Sequence, residues 1–219
     1  MGKATADIRV FMEAGKTRVF ASALDWPGWA RRAKTEELAV EALAEYLPRY
    51  APIVRLAGFE PPEGEFVITE RHPGLARYAD FGSLGEIAGT ETTPPAPEEG
   101  ARLARLLEAA WSAFDRVAAA APAQLRKGPR GGGRDTDQIV AHVRGAELAY
   151  ARKLGLPRDE DQAGPDGWPL LRARIGVALR DPESVVIPAN GWPLRYGARR
   201  IAWHVLDHLW EIEDKSEPA

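Results

Sequence analysis

The chain has 219 residues, 45% of them hydrophobic and 28% charged, with a formal net charge of −3 and no cysteine. That size allows one large core or two small ones, and the charge gives no global pull toward nucleic acid or an anionic membrane. Disulfides, thiolate metal sites and a cysteine nucleophile are excluded. No run approaches the ~18 apolar residues of a membrane span and the start lacks a signal-like apolar core, so a cytoplasmic location is expected.

The first third alternates. Ile8, Val10 and Met12 share one face, Gly15 interrupts, and residues 18–24 resume the pattern, which predicts a β-hairpin. DWPGW (25–29) follows as a Pro-Gly turn flanked by tryptophans. Thr35 is placed as an N-cap, with Glu36 and Glu37 favourable to the helix dipole. Leu38, Ala39, Ala42, Leu43, Tyr46 and Leu47 form a helical stripe that Pro48 ends or kinks. Phe66, Val67, Ile68 and Thr69 read as a return strand, giving a small ββαβ unit.

Residues 82–100, GSLGEIAGTETTPPAPEEG, lose periodicity and read as a semi-stiff linker. Beyond it the period becomes helical. Residues 98–121 carry Leu103, Leu106, Leu107, Ala110, Trp111, Phe114 and Val117 on a wide apolar face. Asp135 and Gln138 form a capping-box pair that opens a second helix, to about Leu154. Residues 167–180 and 196–213 make the third and fourth. The expected fold is therefore α+β: an α/β domain over 1–75, a linker over 76–97, and an all-α four-helix bundle over 98–216.

The loop LRKGPRGGGR (125–134) sets Arg126, Lys127, Arg130 and Arg134 among glycines. Such a run can grip a phosphate backbone. Without an interleaved aromatic for stacking, a solvated interhelix loop is the favoured reading, and nucleic acid is not an expected partner.

Two of the four histidines, His204 and His208, stand four apart in the last helix. Residues at i and i+4 lie one above the other, so both rings can address one point. A divalent ion fits there with bonds of about 2.0–2.1 Å, provided a third ligand arrives from another helix. His142 is the natural supplier, since Gly145, Ala146 and Ala149 on its face leave room. The alternative is a set of structural imidazoles. His72, beside a proline, reads as a surface loop residue. Glu211 lies near the same stripe and can orient a ligating imidazole or act as a general base. Arg200 can hold an anionic substrate group. For both, a surface ion pair at a helix end is the competing reading. Trp111, Tyr150, Trp203 and Trp210 can wall a pocket or fill the core, and Trp26 and Trp29 can form a lid.

A histidine in the second bundle helix and HxxxH in the fourth, within IVAHVRGAELAYARKLG (139–155) and RIAWHVLDHLWEI (200–212), resemble the DinB/YfiT-like superfamily over about residues 98–214. The resemblance implies a four-helix bundle holding zinc or nickel on His142, His204 and His208. It also implies chemistry with a low-molecular-weight thiol on a small-molecule substrate: transfer, isomerisation or hydrolysis. A homodimer is expected. The front part, VFMEAGKTRVFASALDWPGW with the TEELAVEALAEYL helix, resembles the HicB-like antitoxin fold over roughly residues 6–70. A helical domain follows where those antitoxins carry a DNA-binding segment, so the unit is expected to pack, dimerise or gate a ligand. The competing functional reading is a non-catalytic metal-binding or regulatory protein with a partner-binding front domain.

Overall fold

The computed structural model describes residues 6–128, 132–157 and 167–216. Strand β1 (Ile8–Ala14) turns back into β2 (Val19–Ala23), which pairs antiparallel with β3 (Ala30–Ala33). Strand β4 (Phe66–Arg71) runs parallel to β1 on its other side, giving a mixed sheet of order β3-β2-β1-β4. The two-residue period sorts its side chains by face. Val10 and Met12 lie opposite Ala23 and Ala21, in one core with Trp29, Leu43 and Tyr50. Phe11 and Glu13 lie opposite Ser22 and Phe20 on the other face. There Phe20 meets Trp203 edge-on at 5.7 Å.

The α/β part carries one strand and one helix more than the expected ββαβ. Strand β3 is ARRA, without a β-branched or aromatic residue to signal it, and pairing with β2 holds it. Pro48 does not simply end a helix. It occupies the first turn of α2 (Leu47–Leu56), where the missing N–H has no partner to lose, directly after α1 (Glu36–Glu45). Thr35 caps α1 as expected, its hydroxyl accepting from Leu38 N at 3.3 Å. The crossover through α1 and α2 makes the parallel β1–β4 pairing possible.

Residues 76–97, expected as a linker, alternate buried and exposed side chains, with Tyr78 and Phe81 exposed. Helix α3 (Arg77–Phe81) and the following turns bury Ala76, Ala79, Leu84 and Ala88. Beyond them run α4 (Pro97–Ala120), α5 (Thr136–Lys153), α6 (Gly167–Arg180) and α7 (Leu194–Ser216). Helix α4 packs on both α6 and α7, and α5 packs on α7 and α6. At Gly100 an added Cβ would come within 2.0 Å of the Leu179 carbonyl, so only glycine lets α4 approach α6 this closely. Glu147 ties three helices together: its buried carboxylate accepts from Trp111 Nε1 at 2.7 Å, from Arg172 Nε at 3.0 Å, and from Trp168 Nε1. No helix among the described residues is long and apolar enough to cross a membrane.

Helix α7 is central, buried on nearly every side from Leu194 to Ile212. A helix apolar all round belongs to an interior, and here the sheet lies on one flank and α4 and α5 on the other. The Pro-Gly turn docks directly on it. Gly28 has φ +95°, and a Cβ there would fall 2.6 Å from Leu206 Cδ1. The sheet-facing flank is fixed by Arg199, 2% exposed. It donates to Glu91 Oε1 at 2.6 Å, to Glu13 Oε1 at 3.1 Å and to the Glu86 carbonyl at 2.8 Å. The second Glu13 oxygen accepts from the N–H groups of Gly85 and Glu86 at 2.9 and 3.0 Å. The sheet, the 76–97 segment and α7 thus share one buried ionic cluster.

Candidate metal centre

The start of α5 is set by its cap. The Gln138 side chain accepts from Asp135 N at 3.0 Å, and the Asp135 carboxylate reaches back to Leu125 N at 3.0 Å. Those bonds fix where His142 emerges, two turns further on. Helix α7 presents His204 and His208 one turn apart on the flank that faces α5.

The three rings converge. Their centroids form a near-equilateral triangle: 4.6 Å for His204–His208, 4.8 Å for His142–His208 and 5.0 Å for His142–His204. One ligating nitrogen from each lies within 4.8 Å of the others. The Nε2 atoms of His142 and His204 face each other at 3.2 Å. Two ligands at about 2.0–2.1 Å from a tetrahedral ion stand about 3.3–3.4 Å apart, so this spacing fits a shared divalent ion. Two facing neutral imidazole nitrogens otherwise need one ring to donate to the other.

Electrostatics keep the lone pairs of His142 and His204 free. His204 is 6% exposed, and its pKa is pushed down to about 2, by burial first and then by the neighbouring His208, Arg200 and His142. Burial also lowers His142, helped by His208 and Arg134. His208 is fixed from behind, with Nδ1 2.7 Å from Glu211 Oε2, which leaves Nε2 for the centre. Glu211 is itself held by Lys215 at its other oxygen. Its pKa is lowered to about 2, first by the bond to His208. Both oxygens are therefore engaged, one on each cation-capable partner.

Arg200 lies beside the cluster rather than in it. One Nη donates to Ser83 Oγ at 2.8 Å, and the guanidinium lies over Tyr150 at 5.1 Å and Trp203 at 4.8 Å. Tyr150 stands edge-on to His204 at 5.6 Å and against Trp192 at 5.0 Å. Tyr150 and Trp203 therefore flank His204, with Trp192 behind Tyr150. The other candidate wall residues do not. Trp111 is bonded to Glu147, Trp210 packs on Tyr46, Trp29 stacks on Tyr50, and Trp26 lies under Arg102. Asp207 pairs with Arg31 at 3.4 Å. His72 is outside the cluster, 3.5 Å from Glu86.

In the basic loop, Arg126 bonds the Asp214 carbonyl and Lys127 bonds Asp135. Arg130 lies outside the described residues. Ser83 and Trp192 had no sequence signal of their own; each reaches the site only through tertiary packing. Compared with family models, with curated proteins and with solved structures, the chain finds no match.

Proposed function

We propose that the chain is a divalent-metal-dependent enzyme of the DinB-like type, its helices α4–α7 forming the four-helix bundle and its ion, zinc or nickel, held by His142, His204 and His208. The observation that carries this is the convergence of three imidazoles from two helices on one point, their ligating nitrogens within 4.8 Å of one another. A divalent ion held there supplies Lewis-acid chemistry, lowering the pKa of a thiol or water presented to it. The thiol must be a small molecule, because the chain has no cysteine.

The protein's own groups divide the remaining work. Glu211 holds the His208 ring in the tautomer that turns Nε2 inward, a positioning role, since both its oxygens are already engaged. Arg200, restrained by Ser83 and two aromatic faces, orients an anionic group of the substrate. Tyr150, Trp192 and Trp203 exclude water from that side. The HicB-like front part packs its sheet against the helix that bears two ligands, and the segment after it supplies Ser83, so the role of both here is structural support of the site.

Metal analysis of the purified chain beside His142→Ala tests this. One equivalent of divalent ion in the parent, lost in the variant, supports it. A parent that retains no ion from a zinc- and nickel-supplemented preparation favours a non-catalytic, partner-binding protein.

A further inference from the structure

A cavity of about 780 Å³ opens between the β2–β3 turn and the starts of α4 and α7. It is separate from the histidines: none of its lining residues bonds to or stacks on those rings. Its charges pair off in a telling way. Arg9 is matched by Asp25, Arg195 by Glu99, and Arg199 by Glu91. Two charges remain. Arg102 has no carboxylate within ion-pair distance among the described residues, and the Glu98 side chain has no partner among them.

Arg102 has the features of a prepared anion receptor. One Nη donates to the Asp25 carbonyl, and the guanidinium is laid over Trp26 at 4.3 Å and Phe59 at 5.5 Å. It is half-buried, and burial lowers its pKa. Asp25 and Glu99 act on that charge only from beyond ion-pair distance, each bonded to another arginine, so an arriving carboxylate is the first to bond it directly. Glu98 stands one helical turn earlier, where Cβ atoms are about 5–6 Å apart. It offers the opposite charge at the rim. Leu24, Pro27 and Leu103 give the same cavity an apolar wall.

We infer that this cavity binds a free α-amino acid with an apolar side chain: carboxylate on Arg102, ammonium on Glu98, side chain against Leu24, Pro27 and Leu103. The pairing explains why one cation and one anion, four residues apart on α4, are both left without an ion-pair partner among the described residues. The site is independent of the histidine cluster and of any metal there.

Titration calorimetry of the full chain with leucine and phenylalanine tests it. Saturable one-to-one binding is expected, weakened about tenfold or more by removing either charge, as in leucinamide or N-acetyl-leucine. Arg102→Met abolishes binding of leucine and of N-acetyl-leucine. Glu98→Gln, at an exposed position that leaves the fold intact, weakens leucine but leaves N-acetyl-leucine unchanged. No binding of either amino acid, a derivative that binds as tightly as leucine, or wild-type affinity in both variants would overturn the inference. Since metal content is measured separately, failure here leaves the metal reading untouched.

Discussion

Glu211 Oε2 lies 2.7 Å from Nδ1 of His208, one turn away on the same helix, and its other oxygen is held by Lys215. The carboxylate thereby fixes which ring nitrogen of His208 faces the other two imidazoles. Replacing it by glutamine keeps the size but removes the charge that favours the bonded tautomer. Metal affinity of Glu211→Gln should fall about 10- to 100-fold, read by competition against a chromophoric chelator. An unchanged affinity would show that His208 needs no such support.

The low basicity of His204 sets a sign for stability against pH. Its folded pKa of about 2 lies below the ordinary 6.5. Between those values the unfolded chain binds a proton at this ring that the folded chain does not. Stability is therefore fully present above 6.5 and is lost as pH falls toward 2. The lowered His142 acts in the same direction. Urea midpoints of metal-free protein should drop as pH falls below the ordinary histidine value, and His204→Gln should flatten that slope. A midpoint that rises on acidification contradicts the account.

Arg199 supplies the one cation shared by two buried carboxylates, Glu13 and Glu91. Removing it strands both. Arg199→Met should cost about 3–5 kcal/mol in urea unfolding, and adding Glu13→Gln and Glu91→Gln should recover part of that loss. A cost below about 1 kcal/mol would mean the cluster is far more hydrated than its burial indicates.

Helices α1 and α4–α7 and the histidine stripe were readable because each rests on local periodicity and capping. The spacing of His204 and His208 fixes a shared face whatever the helix packs against, and Asp135 with Gln138 announces where α5 begins. Strand β3 and helix α2 were not readable. ARRA becomes a strand only because β2 lies beside it, and LPRYAPIVRL carries prolines at 48 and 52 that argue against a helix. Glu13 was hidden for a related reason. In the sequence it is an exposed-looking residue in an alternating strand, and only the approach of Arg199, 186 positions away, makes it a buried ion-pair partner. Within 76–97 the buried residues, Ala76, Ala79, Leu84, Ala88 and Glu91 among them, follow no single period, so their burial could not be read from the sequence.

Titration of the metal-free chain with zinc or cobalt measures the central claim most directly. One ion per chain should bind, with cobalt giving the visible absorption of a low-symmetry nitrogen-rich site, and His142→Ala, His204→Ala and His208→Ala should each lose it. Binding that is weak, substoichiometric or indifferent to all three substitutions would contradict the account.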